Sequence, residues 1–344
     1  MAVEHHVRDR KRAPDGISTP VGDVISCVSS TSAGVAASRT KPARSEGTKG
    51  LIFGFGAYGL WGLLPLYFVV LEPAGPVEIV ANRVVWSLIF CALLITFTKS
   101  WRVFGMAVSS PKVLGTLTVA ALLIATNWLT YVYGVTSGHA IETSLGYFIN
   151  PLVSVLIGVI VLKEKLRPLQ WMAVAIGGVA VVVLTIAYGN LPIIAFTLAL
   201  SFGAYGFVKK KVGRRVDAVT SLSVETAVLA PLAGGVMIWL AIAGDSTLGT
   251  EGSAHFWLMV ASGVITAVPL LLFGAAASRL PLATVGFLQY LTPTMQFVLA
   301  ITVLGERMPL ERWIGFGLVW VALIFLSTDM LRQYGANRKL RAAA

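Results

Sequence analysis

Thr143, Tyr147, Asn150 and Ser154 recur at intervals of four, three and four residues. That spacing puts side chains on one face of an α-helix. The residues around them are apolar, so the four form a polar stripe in a segment that otherwise avoids water. A second stripe lies 142 residues on, where Gln289, Thr292 and Gln296 take the places of Tyr147, Asn150 and Ser154. Each stripe passes a proline, Pro151 or Pro293, near the middle of its segment. A mid-helix proline removes one backbone hydrogen bond and frees the carbonyl of residue i−4, here Tyr147 or Gln289. Amides, hydroxyls and freed carbonyls bind polar solutes. In hydrocarbon they are tolerated only where they face a cavity or another helix. Two uses follow: a solute site between the two helices, or interhelical hydrogen bonds of about 1 kcal/mol each that hold a bundle together.

Other candidates sit in neighbouring apolar stretches. Tyr58 and Trp61 accompany Gly54, Gly56, Gly59, Gly62 and Pro65, a composition suited to a gate helix, or simply to a close-packing face with interfacial aromatics. Asn127 and Tyr131 are one turn apart and suit a cavity wall. Arg83 and Glu225 are ionisable groups inside apolar segments, where a charge costs about 2.5–3.5 kcal/mol on insertion scales. Arg83 would contact an anion or snorkel to the nearer interface. Glu225 would couple transport to protons, with Pro151 and Pro293 as bending points for gating, or would be a carboxylate at a helix start. His139 and Glu142 fall at an expected mouth, where His139 is solvated or caps a helix.

The elements that position these residues can be read from charge. Only 12% of the 344 residues are charged and 56% are hydrophobic, whereas a soluble domain carries about 25% charge. Apolar segments run over 51–71, 79–98, 113–135, 141–162, 169–187, 191–208, 220–243, 256–277, 283–304 and 312–328. Each is near the length of roughly 20 residues that crosses a bilayer. Ten spans starting from a cytoplasmic tail leave 24 of the 27 Lys and Arg on the tail side. Arg307 and Arg312 lie opposite and Arg83 lies within a span. Residues 1–48 read as a disordered basic tail whose Arg8, Arg10, Lys11 and Arg12 are solvated, and 331–344 as a second basic cytoplasmic tail. Lys209, Lys210 and Lys211 read as enforcing topology. Basic residues alternating between loops do not form a nucleic-acid surface. Cys27 and Cys91 have no partners at metal-ligand spacing.

The sequence repeats itself. Phe55-Gly56-Ala57-Tyr58-Gly59 recurs as Phe202-Gly203-Ala204-Tyr205-Gly206, and the same offset of 147 carries Val77-Glu78 onto Val224-Glu225. At 142, Pro151, Leu162, Glu164 and Trp171 pair with Pro293, Leu304, Glu306 and Trp313. With five spans in each copy, the second copy enters from the opposite face, the inverted duplication that supports alternating access. The expected domains are a first repeat over 49–187 and a second over 188–330. No phosphate-binding loop, zinc-protease helix or nucleophile elbow occurs, so no enzyme, metal or cofactor is expected.

Longer motifs point to a family. Asn82-Arg83-Val84-Val85-Trp86-Ser87, Asn127-Trp128-Leu129, and the run from Glu142 to Pro151 resemble the RarD permeases of the EamA family, in the drug/metabolite transporter superfamily. So do Glu164-Lys165-Leu166-Arg167 and Gly286-Phe287-Leu288-Gln289-Tyr290 with Pro293-Thr294. The resemblance covers about 49–330 and implies a bacterial inner-membrane protein of two EamA-type repeats, with efflux as the direction favoured.

The expectation is therefore an all-α polytopic membrane protein of ten transmembrane helices in two inverted five-helix repeats, with both termini cytoplasmic. It would be a secondary transporter of a small polar or amphipathic metabolite or drug. Its substrate-binding residues would be Tyr58, Trp61, Arg83, Asn127, Tyr131, Tyr147, Asn150, Tyr205, Gln289, Thr292 and Gln296. The rival is a flippase or scramblase for a lipid-linked substrate, with Arg83 meeting phosphate. Membrane lipid is an expected partner, a homodimer is admitted but not required, and nucleic acid is excluded.

Overall fold

The structure, a computed structural model, describes residues 43–343 except 164, 190, 213–215, 278 and 281. Residues 1–42 of the expected basic tail, with Cys27, and Glu164, Arg214 and Arg215 lie outside the described residues, whereas residues 43–48, expected in that tail, are helical and open α1. Among those residues every regular element is an α-helix.

Proline, glycine and short polar side chains set the boundaries. α1 (Ala43–Gly62) and α2 (Leu64–Val70) share the first apolar stretch, broken at Leu63, with Pro65 starting α2 where a missing N–H costs nothing. α3 (Pro76–Thr98), α5 (Pro111–Thr136) and α7 (Pro168–Tyr188) each open on a proline, and a short α4 (Trp101–Ser109) joins the first two. α6 (Ala140–Leu162) runs unbroken past Pro151. The second half comprises α8 (Ile193–Val212), α9 (Ala218–Ala243), α10 (Gly252–Ala277), α11 (Leu282–Leu288), α12 (Leu291–Thr302) and α13 (Leu310–Ala343). Asp217 caps α9 by accepting from the Thr220 N–H at 3.0 Å.

Eight helical stretches among the described residues are long and apolar enough to cross a membrane. Two expected spans depart from that. The sixth is a shorter apolar helix, Ile193–Lys209, because the lysine run occupies its last turn. The ninth is broken. α11 stops at Leu288, Gln289 and Tyr290 form a turn, and Pro293 sits in the first turn of α12, where its lack of a donor is harmless. Nor does the chain leave its helix near residue 331, since α13 continues to Ala343.

The bundle is polar inside and apolar outside. Glu78, Asn82, Arg83, Asn127, Glu142 and Glu225 are all buried, whereas Phe97, Ile160, Ile186 and Ile242 are largely exposed. A protein dissolved in water would not invert this order, but one dissolved in lipid does. The helices pack most extensively as α7 with α13, α3 with α9 and α10, α8 with α5 and α6, and α1 with α10. Close approach requires small residues. A Cβ on Gly263 of α10 would lie 2.4 Å from the Trp86 backbone of α3, and one on Gly146 of α6 would lie 2.8 Å from the Ala195 carbonyl oxygen of α8. Below, the end of the bundle where α1 begins is the tail end and the other is the far end.

Candidate functional site

Arg83 lies about 10 Å along α3 from Pro76. It does not snorkel. The residue is 5% exposed, and its guanidinium carbon stands 4.4 Å from the centre of the Trp128 ring and 5.9 Å from that of Phe68. Nε donates to the Thr266 hydroxyl at 2.7 Å, while Nη1 is buried without a hydrogen-bond partner. None of the ion pairs among the described residues includes Arg83. A desolvated cation–π contact of about 2 kcal/mol and the bond to Thr266, about 1.5 kcal/mol or more, are comparable with the cost of a mid-membrane charge. Nη1 nonetheless stays without an acceptor, and in a membrane such a residue is a functional candidate by default.

Rings and amides continue from it. Phe68 meets Tyr131 edge to face at 5.7 Å, Tyr131 meets Tyr147 at 5.6 Å, Tyr147 meets Phe202 at 5.9 Å, and Phe202 meets Tyr205 at 6.1 Å. Tyr147 donates its hydroxyl to Asn127 Oδ1 at 3.1 Å. Asn127 Nδ2 donates to the Leu198 carbonyl and to Ser201 Oγ, both at 3.1 Å. Two further polar atoms here are buried without partners, the Tyr131 hydroxyl and Asn150 Oδ1. Asn150 faces α8, where a Cβ on Gly203 would lie 3.4 Å from its Oδ1. Five helices therefore meet around one polar and aromatic cluster: α2, α3, α5 and α6 from the first half, and α8 from the second, with Thr266 of α10 at its edge.

The chain of rings ends at an ion pair. Tyr205 donates to Glu225 Oε2 at 3.1 Å, and Glu225 Oε1 receives Ser221 at 2.9 Å and Lys209 Nζ at 2.6 Å. Lys209 also contacts the Ser221 hydroxyl. Glu225 is thus neither a free carboxylate nor only a helix-start group, and Lys209 does more than enforce topology.

The other candidates fall elsewhere. Thr292 donates to the Tyr58 carbonyl at 2.8 Å and Gln296 to the Trp61 carbonyl at 3.1 Å, while Tyr58, Trp61 and Phe273 stack edge to face or tilted within 6.0 Å. The polar stripe of α12 therefore turns toward α1, and that of α6 toward α5 and α8. The two do not face each other across one site. In the α6 stripe, Thr143 donates to the Ala140 carbonyl of its own helix and Ser154 is exposed. Gln289 lies half-buried in the break before α12.

At the far end, carboxylates bind backbone N–H groups across the two halves, Glu306 and Glu142 at helix starts and Glu78 in the loop between α9 and α10. Glu306 accepts from the Ile141 N–H at 2.9 Å and also from that of Ala140, at the start of α6, just past the exposed His139. Glu142 accepts from Ile194 and Ala195 at the start of α8, at 2.9 and 3.3 Å. Glu78 accepts from the Thr247 and Leu248 N–H groups at 2.8 and 3.2 Å, and from two hydroxyls. Unpaired N–H groups and the helix dipole favour an anion at such starts. Burial holds the Glu306 carboxyl above its ordinary value, with the two N–H donors, His139 and Arg312 opposing. A groove of about 250 Å³ beside Glu78 is lined by Asn82, Met237 and Leu248 among others. Asn82 is satisfied there by the Glu78 carbonyl and the Trp86 indole, and the lining includes no group of the Arg83 cluster.

Phe68, Trp128, Phe202 and Thr266 escaped the reading of the sequence as site residues. Trp128 stands next to Asn127, and Phe202 belongs to the duplicated pentapeptide, so both carried a signal. Nothing in the spacing pairs Phe68 or Thr266 with Arg83.

A helical bundle with buried charges, an apolar exterior and several membrane-length spans is a polytopic membrane protein. The family model for the EamA-like transporter family matches residues 48–186 and again 191–328. Protein RarD of Streptomyces exfoliatus is 48% identical over 88% of this chain and 96% of its own. An uncharacterized transporter of Vibrio cholerae is 40% identical over 87% of this chain and 99% of its own, and protein RarD of Escherichia coli 39% over 82% and 95%. One solved crystal structure aligns with a TM-score of 0.56 at 17% identity, covering 82% of this chain and 98% of that one. At that identity the likeness shows the fold alone. The chain belongs to the EamA-like transporter family and is a RarD-type membrane permease.

Proposed function

We propose that the protein is a secondary transporter that moves a small polar or amphipathic metabolite or drug outward by alternating access. Ten spans in two inverted five-helix repeats, 49–187 and 188–330, would rock about a central site in the bacterial inner membrane, with both termini cytoplasmic. The observation that carries the reading is Arg83, buried between the halves among Trp128, Tyr131 and Tyr147 with an unpartnered Nη1. The far-end bonds of Glu306, Glu142 and Glu78 support a two-ended gate, since they tie the halves there through carboxylates on backbone N–H groups. At the tail end two ion pairs also join the halves, Arg167–Asp329 and Glu46–Arg279, each with one partner nearly half exposed. Exposure of a partner weakens such pairs. Arg83 sits among rings inside the bundle, which supports a solute over a lipid headgroup.

Uptake of a pooled metabolite and antibiotic panel into proteoliposomes, read by mass spectrometry beside a labelled-lipid flip assay, tests the reading. Accumulation of one solute class, lost in Asn127→Ala and Asn150→Ala but kept in the stripe variant Thr292→Val, is expected. Intact transport in both asparagine variants would overturn the site. Lipid flipping without solute uptake would overturn the transporter.

A further inference from the structure

The unpartnered atoms of the cluster specify more than polarity. A guanidinium stacked on an indole presents its ring-facing side to the π system and keeps its edge N–H groups in plane. At Arg83 the Nε edge is taken by Thr266, and the free edge is Nη1. The Tyr131 hydroxyl, also buried and unpartnered, is a donor within electrostatic reach of the same guanidinium. Two donors without an acceptor, around a cation without a counter-ion among the described residues, suit an oxoanion held by charge-assisted hydrogen bonds. What surrounds them is aromatic: Trp128, Phe68, Tyr147 and Phe202. Resting on the transporter reading above, we propose that the solute carries a carboxylate, bound by Arg83 and Tyr131, on an apolar or aromatic body that lies against these rings.

Charge count decides between oxoanions. Arg83 supplies one positive charge, and the nearest other cation along the ring chain, Lys209, is engaged by Glu225. A monocarboxylate would leave the desolvated site neutral. A phosphate dianion would bury a charge without a partner, which low-dielectric surroundings penalise heavily. The carboxylate also removes the cost of the unpaired cation, so solute binding and cation burial favour each other.

Matched acids and amides test this on the full chain in lipid nanodiscs. Benzoate and phenylacetate are titrated against benzamide and phenylacetamide, with phenyl phosphate as a third probe. Tryptophan fluorescence is followed, and Trp128→Phe identifies the signal of the ring under Arg83. Each acid should bind wild type about tenfold tighter than its amide, the worth of a charge-assisted bond. Arg83→Gln should erase that preference, and Tyr131→Phe, which keeps the ring, should narrow it to about threefold. The wild-type comparison stands even where Arg83→Gln does not insert. An acid bound no better than its amide overturns the carboxylate assignment, as does phenyl phosphate bound more tightly than both acids. If in either case a neutral solute is still transported in an Asn127- and Asn150-dependent way, the transporter reading survives and only the substrate class falls.

Discussion

Replacing Lys209 by methionine should be among the most damaging single changes at the tail end, and a second substitution should largely repair it. Glu225 is 1% exposed at its side chain and holds three donors, of which Lys209 alone is charged. Lys209→Met keeps the length of the side chain but leaves the carboxylate with the neutral hydroxyls of Ser221 and Tyr205. Breaking a buried pair from one side costs about 3–5 kcal/mol. Water reaches the Lys209 side chain, which is 28% exposed, so the lower figure of about 3 kcal/mol is expected here. Adding Glu225→Gln removes the stranded charge, with its amide oxygen accepting from one hydroxyl and its N–H donating to the oxygen of the other, and should return about 2 kcal/mol of that loss. The assay is a double-mutant cycle on unfolding in mixed micelles, with the exposed Lys112→Met as control. Additive losses in the two single variants, or a Lys209→Met as mild as Lys112→Met, would refute the pair. The same variants bear on coupling. A structural pair predicts that the double variant still transports with the wild-type response to a pH gradient, whereas a proton-carrying Glu225 predicts that the response disappears.

Other consequences can be checked more briefly. Gly263→Ala drives a Cβ to 2.4 Å from the α3 backbone and should cost about 1–3 kcal/mol in thermal stability, whereas Gly178→Ala, with open space around it, should cost nothing. Thr292→Val removes one interhelical bond, and an unfolding titration should show a loss of about 1 kcal/mol with unchanged affinity for the transported solute. Burial raises the Glu306 carboxyl in the closed far end, so protonation there favours closure, a contribution present below its ordinary value near 4.5 and lost as pH rises through the raised one. Amide exchange at Ile141, corrected for its intrinsic pH dependence, should accordingly show less protection toward neutral pH, and should lose that trend in Glu306→Gln. A flat profile in wild type would contradict it.

Most of the scaffold was legible because charges are segregated. Apolar stretches between charged loops can hardly be anything but helices in lipid, and nine of their ten starts and nine of their ten stops fall within four residues of helix ends. The exceptions have local causes. The helix breaks at Gln289 and Tyr290, so Pro293 falls in the first turn of α12, whereas α6 continues past Pro151 with Gly146 and Asn150 packed against α8 on the turns before it. The members of the Arg83 cluster were legible residue by residue but not as an arrangement. Arg83, Asn127, Tyr131 and Tyr147 were singled out by type and spacing, and they do come together. Helical spacing says which residues share a face but not which helix that face meets, so two stripes at equivalent positions could be taken to oppose each other. For the same reason the depth of Arg83 suggested snorkelling, while α5 and α2 bring Trp128 and Phe68 over it.

The two halves also show where duplication stops mattering. Tyr58 and Tyr205 stand at the same place in identical pentapeptides, yet Tyr205 reaches Glu225 with its hydroxyl, while Tyr58 stacks on Trp61 and Phe273 and offers only its carbonyl, to Thr292. Val77-Glu78 and Val224-Glu225 are equivalent too, but Glu78 binds backbone N–H groups and Glu225 a lysine. The counterpart of Arg83 at the same offset is Ala230. Helix packing constrains both copies alike, because each must bury the same faces against equivalent neighbours. A solute at the centre imposes no such equality. Unless it has a two-fold axis of its own, it meets each half with a different part of its surface, and residues from the two halves then diverge. On the proposal of a singly charged, asymmetric solute, a cation present in one half and absent from the other is the expected outcome. It is also why the lining of the centre could not be read from the repeat that revealed the scaffold.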